Sequence, residues 1–211
     1  EVTIAEIFDM SKNITAIAEK MRLGDFNYKN NHLGFDLAGK TLGVAGYGRI
    51  GKKVAQKADA LGMKVIIYDP FVTQTTIGTL VSKDELLSDA DIITLHMAVT
   101  DDTNNFIDSV ALKSMKKSSY LVNLGRGALV DQEALINSLK NHDISGAALD
   151  VFDQEPLPLT NDLYTLDNVL LTPHIASNTV NAMNRMALDS AKEVVKVLSN
   201  ENPTWPVNRI N

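Results

Sequence analysis

Leu42-Gly43-Val44-Ala45-Gly46-Tyr47-Gly48-Arg49-Ile50-Gly51 is the stretch on which the reading of the fold turns. A short apolar run, of the length of a buried strand, enters G-x-G-x-x-G, and a helical stretch, Ile50–Leu61, leaves it. The first glycine permits a tight turn. The second lets a pyrophosphate approach the backbone, and the third lets the helix pack against the strand. The helix N-terminus adds amide donors and positive potential. The next apolar run, Lys64–Tyr68, ends in Asp69, 18 residues past Gly51. A carboxylate at that place accepts both ribose hydroxyls of an adenosine and repels a 2′-phosphate. The glycine pattern alone is weak, and its weight comes from strand, turn, helix, strand and acid in register. An ordinary βα turn, with Asp69 as a turn or capping residue before Pro70, is the less favoured reading.

Outward from this turn the pattern continues as strand, helix, strand, helix. Apolar runs end near Gly46, Tyr68, His96, Leu124, Val151 and Thr172, and they are near-continuous instead of alternating, as strands covered on both faces are. Helical stretches include Ile50–Leu61, Asp131–Lys140 and Thr179–Leu198. This alternation predicts an α/β fold with a doubly wound parallel sheet of the Rossmann type. Ahead of it, Thr3-Ile4-Ala5-Glu6 has the form of a capping box, and Ile4, Ile7, Met10, Ile14, Ile17 and Met21 recur in steps of three and four up to a stop at Gly24. Residues 1–24 are therefore expected to form one long amphipathic helix, packed on its own domain or on a second copy. Residues 25–199 are expected to form the dinucleotide-binding domain, and residues 200–211 an extended tail. The polar stretch from Phe26 to Gly39 reads as a connection.

The 211 residues are 45% apolar and 22% charged, with a net charge of −6, which is ordinary for a globular chain. An acidic chain with no basic run is a poor partner for nucleic acid or an anionic membrane surface. The absence of cysteine excludes disulfides, thiolate catalysis and cysteine-based metal sites, and it fits a reducing cytoplasm. No metal site is expected. No apolar run approaches the ~18–20 residues that cross a bilayer.

In a parallel sheet, ligands bind beyond the carboxyl ends of the strands. There the sequence places His96-Met97-Ala98, Asn123-Leu124-Gly125-Arg126, Asp150 with Gln154-Glu155-Pro156, and Thr172-Pro173-His174. Arg126, Glu155 and His174 thus reach one edge from three loops. Arginine offers a planar fork for a carboxylate. Histidine passes a proton near neutral pH, and a neighbouring glutamate raises its pKa and fixes its tautomer. Beside a dinucleotide these parts suit hydride transfer to or from a 2-hydroxy or 2-oxo acid. Taken singly, each has a plainer reading: Arg126 as a loop residue, Glu155 as a solvated turn, His174 as a structural histidine. His32 and His142 keep that plainer reading, and His96 reads as a cofactor-side contact.

GVAGYGRIG, Tyr68-Asp69-Pro70-Phe71, ITLHMAVT, YLVNLGRGALVD, GAALDVFDQEP and LLTPHIAS together resemble the successive signatures of the D-isomer-specific 2-hydroxyacid dehydrogenases, over nearly the whole chain. Within that family the sequence is most similar in look to the D-3-phosphoglycerate dehydrogenase branch. The resemblance implies that Arg126 binds the substrate carboxylate, that His174 is the acid–base and that Glu155 is its partner. It implies NAD contacts at Gly46, Gly48, Arg49, Ile50, Gly51, Asp69, Met97, Ala98, Thr103, Leu124, Gly125, Arg126, Asp150, His174 and Ala176. Asp150 resembles the residue that holds the nicotinamide carboxamide.

Two positions depart from the family pattern. Ala98 stands where proline is usual, and Gly125 where Ala, Ser or Thr is usual, so looser cofactor loops are expected with the site retained. A third departure is larger. Family members begin with a flavodoxin-like substrate lobe, whereas this chain opens at Glu1 with the helix that follows such a lobe. It is therefore expected to be the cofactor portion of an NAD-dependent D-2-hydroxyacid dehydrogenase, poorly active alone, with a homodimer as the working form. The alternative is a non-catalytic NAD-binding sensing or interaction module of the co-repressor kind.

Overall fold

The computed structural model describes residues 1–206. The chain divides into two compact units, Glu1–His174 and Ile175–Asn211.

The first unit is a seven-stranded parallel sheet. Its strands are β1 (Thr41–Ala45), β2 (Lys64–Tyr68), β3 (Thr79–Leu80), β4 (Ile92–Leu95), β5 (Tyr120–Asn123), β6 (Gly146–Leu149) and β7 (Val169–Leu171). They lie in the order β3-β2-β1-β4-β5-β6-β7. The order reverses at β1, which pairs with β2 on one side and β4 on the other, so the crevice of a doubly wound sheet opens above β1 and β4. Every residue of β4 and β6 is buried, as the continuous apolar runs require. The predicted doubly wound sheet is present, with one strand more than the sequence suggested: β3, a two-residue edge strand.

Helices cover both faces. On one, α1 (Val2–Lys12) and α3 (Arg49–Ala60) bury Ile7, Met10, Val54 and Ala55 against Leu42, Val44, Ile67 and Val122. On the other, α4 (Lys83–Asp89), α5 (Ser109–Ser114) and α6 (Gln132–Lys140) bury Leu86, Leu112, Leu135 and Leu139 against Ile93, Leu121 and Leu149. Burial of one such side chain is worth about 2 kcal/mol. α4 starts at Ser82 and Glu85, which form a complete capping box.

The opening helix differs from the expectation. It breaks at Asn13, whose φ of 53° is left-handed, into α1 and α2 (Ile14–Arg22). Asp9 Oδ1 accepts from the Thr15 amide at 2.7 Å and hydroxyl at 2.9 Å, which caps the second segment. The segment at 32–36 docks on the break: Phe35 N donates to Ser11 O at 2.8 Å, and Asn13 Nδ2 to His32 O at 3.2 Å. Asparagine tolerates the left-handed region, so these bonds outweigh helical continuity. The apolar stripe is split accordingly: Ile7 and Met10 enter the core, whereas Ile14 and Met21 are exposed. The predicted capping box is also absent. Glu1 is the N-cap, and Thr3 and Glu6 are buried inside α1. The first helix is thus part of the sheet's own unit and not a separate segment.

The second unit contains α7 (Val180–Leu198), capped by Thr179, whose hydroxyl accepts from Ala182 N at 3.1 Å. Beyond it the chain folds back. Glu193 Oε2 accepts from the Thr204 and Trp205 amides at 2.6 and 3.2 Å, so residues 201–206 return to the helix where an extended tail was expected. The rest of that tail, residues 207–211, lies outside the described residues. Among the described residues no helix is long and apolar enough to cross a membrane.

Candidate active site

The glycine turn has the shape its residues dictate. Gly46 has φ of 95°, and a Cβ there would come within 2.7 Å of the His96 backbone. A Cβ on Gly51 would collide with the Gly46 carbonyl oxygen, so β1 and α3 close on each other only with glycine at this place. Above Gly48 nothing lies within 4 Å of a virtual Cβ, which leaves the backbone open to a ligand. Gly48 is also the N-cap of α3 and supplies no side-chain cap, so amides of the first helical turn remain as anion donors. Asp69 is tied to this turn: its Oδ2 accepts from Tyr47 N at 2.7 Å and its Oδ1 from Phe71 N at 2.9 Å. An open backbone, free helix-end amides and an acid at the end of β2 fit the pyrophosphate and adenosine ribose of a dinucleotide.

Next to the turn, above the ends of β1, β4 and β5, lies a cleft of about 780 Å³. Ile50, His96, Met97, Ala98, Leu124, Gly125, Arg126, Glu155 and His174 line it, together with Val99, Gly127, Ala128, Phe152 and Asp153. Met97, Ala98 and the 124–126 loop thus share one cleft. Thr103 does not line this cleft. Its hydroxyl lies 2.7 Å from Ala98 O and from Thr100 N, so it staples the loop that carries Ala98. Asn123 does the same for the next loop, accepting from Gly125 N at 3.0 Å and donating to Arg126 O at 2.9 Å. The loops expected to be loose are therefore held by side-chain bonds. A Cβ on Gly125 would meet Leu129 Cδ1 at 2.9 Å, the end of a flexible side chain. Burial pushes the His96 imidazole down to about 4, and its Nε2 lies 3.0 Å from Thr94 Oγ1. It is thereby neutral at ordinary pH and unsuited to acid–base work.

At the far wall His174 Nδ1 donates to Glu155 Oε2 at 2.7 Å. The other carboxylate oxygen accepts from Phe152 N at 3.0 Å. The His174 hydrogen bond, aided by that amide and by the charges of His174 and Arg126, holds the Glu155 carboxyl below its usual range. Arg126 is exposed and its Nη1 donates to Gly125 O at 2.7 Å. His174 has φ of 55°, uncommon for a residue other than glycine, and its amide donates to Asp150 O at 2.9 Å and Thr172 O at 3.1 Å.

Asp150 lies beneath the cleft and not in its wall. It is fully buried, and its Oδ1 accepts from the Thr172 hydroxyl at 2.6 Å. Ala176 belongs to the second compact unit. Among the described residues no group of three or more His, Asp or Glu side chains has the arrangement of a metal site.

The sequence profile of the D-isomer specific 2-hydroxyacid dehydrogenase NAD binding domain matches residues 4–176. The chain is 39% identical to a glyoxylate reductase of Thermofilum pendens, over 99% of this chain and 64% of that one. It is 44% identical to a D-3-phosphoglycerate dehydrogenase of Synechocystis, over 81% of this chain and 31% of that one. Among solved structures, a D-lactate dehydrogenase with NAD⁺ from Lactobacillus jensenii superposes with a TM-score of 0.86 at 30% identity, over 99% of this chain and 67% of that one. A glyoxylate reductase from Paecilomyes thermophila gives 0.90 at 30% identity, over 98% and 63%. The chain therefore spans two thirds or less of the length of these relatives.

Proposed function

The chain belongs to the D-isomer-specific 2-hydroxyacid dehydrogenases through their NAD-binding domain, and from that premise we propose that it is the cofactor-binding and proton-transferring part of an enzyme that interconverts a D-2-hydroxy acid and its 2-oxo acid. The observation that carries this reading is the His174–Glu155 pair at 2.7 Å in the same cleft as Arg126, beside a glycine turn shaped for a dinucleotide.

The residues divide the work by their chemistry. Gly46, Gly48, Arg49, Ile50 and Gly51 hold the pyrophosphate and its flanks, and Asp69 the adenosine ribose. Met97, Ala98, Leu124 and Gly125 wall the nicotinamide side. NAD, when bound, supplies the acceptor for the hydride. Arg126 pairs its fork with the substrate carboxylate and draws charge from the adjacent carbonyl. Glu155 takes the Nδ1 proton of His174 as a hydrogen bond, which leaves Nε2 facing the substrate oxygen. In oxidation Nε2 takes the hydroxyl proton, and the carboxylate stabilises the imidazolium that results. In reduction the same proton returns to the carbonyl oxygen.

The relatives named above act on different acids, and a 2-oxo or 2-hydroxy acid group is what those substrates share. The 44% identity to a D-3-phosphoglycerate dehydrogenase supports a phosphorylated acid as the narrower reading. Those relatives are all named for turnover, so the non-catalytic alternative has no support from them. A homodimer is part of the same proposal, with light scattering as its check. NADH absorbance with glyoxylate, glycerate, lactate and phosphoglycerate tests the whole. Turnover of one of these acids that falls at least a hundredfold in His174→Ala, with NAD affinity kept, is the expected result. Turnover unchanged in that variant overturns the assignment.

A further inference from the structure

Beneath His174 runs a line of three side chains that the proposed chemistry does not use. Glu6 of α1 is 3% exposed, and Asp150, just past β6, is 0% exposed. The Thr172 hydroxyl lies between them, 3.0 Å from Glu6 Oε1 and 2.6 Å from Asp150 Oδ1. A hydroxyl has one proton to give. With both acids ionised, one of the two contacts would set lone pair against lone pair, and two buried negative charges would share one oxygen. A proton on one acid removes the conflict, because that acid donates to Thr172 and Thr172 donates onward.

Geometry identifies the proton's holder. The 2.6 Å contact to Asp150 has the length of a hydroxyl donating to a carboxylate, whereas 3.0 Å to Glu6 is at the long end, where no full charge draws the atoms together. Glu6 Oε2 is buried with no hydrogen-bond partner. A neutral carboxyl leaves only a carbonyl oxygen bare there, while a carboxylate would leave a charged one. The forces on Glu6 agree: burial, with the charges of Asp150 past β6 and Asp9 on its own helix, pushes it up to about 7 against the opposing Thr172 bond.

His174 stands on this line. Its amide is held by the carbonyls of Asp150 and Thr172, the two residues that the shared proton links, and its left-handed backbone persists only because its surroundings hold it. We propose that Glu6 is a positioning residue for His174: as a neutral acid it donates to Thr172, Thr172 donates to Asp150, and the line fixes the two carbonyls that seat the His174 amide. The consequence for catalysis rests on the reading of His174 as the acid–base group; the proton assignment does not. The sign of the pH effect follows. Glu6 is raised above its ordinary 4.5, so its contribution to stability is complete below about 4.5 and is lost as the pH rises through about 7. Above that, Glu6 and Asp150 compete for one hydroxyl proton and the seat loosens.

Nuclear magnetic resonance on the full chain tests this in a His174→Asn background. Asparagine tolerates positive φ and removes the imidazole's own titration, while the amide of residue 174 remains. The Glu6 carboxyl carbon is expected to titrate near 7, and the residue 174 amide to move with the same midpoint. Glu6→Gln, whose amide donates at every pH, is expected to abolish the movement and to raise the melting temperature at pH 8 relative to the parent, without such a gain at pH 5. Thr172→Val should uncouple the amide from Glu6, and Thr172→Ser should restore the coupling. A Glu6 midpoint in the ordinary carboxylate range, or an amide transition that survives Glu6→Gln, overturns the proposal. Where Glu6→Gln does not fold, the parent's two midpoints decide: agreement near 7 supports it and disagreement overturns it. Full turnover in His174→Ala would overturn the acid–base reading and leave these titrations as they are.

Discussion

His174 Nδ1 and Glu155 Oε2 meet at 2.7 Å although 19 positions separate them in the chain. The two arrive from different strand ends, Glu155 from the loop after β6 and His174 from the loop after β7. Adjacent parallel strands bring their carboxyl ends to one edge, and β6 and β7 are paired. Sheet topology, more than local sequence, therefore makes the pair. Its electrostatics are those of a half-exposed site: the His174 and Glu155 side chains are 48% and 38% exposed, so the carboxylate tunes the imidazole without locking it.

Glu155→Gln is expected to lower turnover about tenfold or more with NAD affinity kept, since a carboxylate within hydrogen-bond reach stabilises the imidazolium formed on proton transfer. Glu155 lies below its ordinary range in the fold, so its share of the pairing is present above about 4.5 and lost as the pH falls through its lowered value. NADH absorbance and NAD affinity of parent and variant, taken across that pH range, measure this. Unchanged turnover in the variant would remove Glu155 from the mechanism.

Asp69→Ser is expected to erase most of a preference for NAD over NADP, a change of about tenfold or more in the ratio of affinities. The carboxylate is fixed by the Tyr47 and Phe71 amides, so its charge stays at the end of β2 and does not swing aside for a 2′-phosphate. Calorimetric titration of both cofactors into parent and variant is the check. NADP binding to the parent as tightly as NAD would show that Asp69 does not select the ribose.

Two glycines are expected to behave oppositely on replacement by alanine. At Gly51 the new methyl would meet the Gly46 carbonyl, which is backbone and cannot step aside without separating β1 from α3. Gly51→Ala should cost about 2 kcal/mol or more and abolish measurable NAD binding. At Gly125 the methyl would meet Leu129 Cδ1 at 2.9 Å, the end of a flexible side chain. Gly125→Ala should change stability by less than about 1 kcal/mol and leave NAD affinity within a factor of about three. Denaturant unfolding with NAD titration separates the two. Equal losses would mean that the Gly46 carbonyl yields to a methyl at Gly51 as readily as Leu129 yields to one at Gly125.

The extent to which this arrangement is legible in the sequence follows the range of the interactions. The strands and the turn are legible because local pattern sets them: apolar runs in β1, β2 and β4–β7, glycines at 46, 48 and 51, and an acid at 69. Arg126, Glu155 and His174 are legible as polar residues at strand ends, once a parallel sheet is inferred. β3 is too short to carry a pattern. The break at Asn13 is hidden because the apolar steps continue through Ile14 and Ile17, while the Asp9 cap on Thr15 and the docking of residues 32–36 stop the helix. Glu6 is misread as a capping residue for a related reason. Its hydrogen-bond partner, Thr172, is 166 positions away, and no spacing rule reaches that far.

The 211-residue chain by itself is expected to fold and to bind NAD, yet to turn over 2-hydroxy acids at least a hundredfold more slowly than its longer relatives. Folding follows from the two apolar layers, one on each face of a seven-stranded sheet. Binding follows because the 97–98 and 124–126 loops line one cleft with Ile50, next to the glycine turn to which Asp69 is bonded. Slow turnover follows from exposure. Arg126, Glu155 and His174 face solvent, where water screens the field that an arginine and an imidazolium exert on a developing alkoxide. Proton and hydride transfer also need the acid held at near-attack distance with water excluded, and an open cleft imposes neither. Calorimetry with NAD and an NADH absorbance assay on one sample measure both halves of this expectation. Rapid turnover by the chain alone would mean that the open cleft already excludes enough water to work.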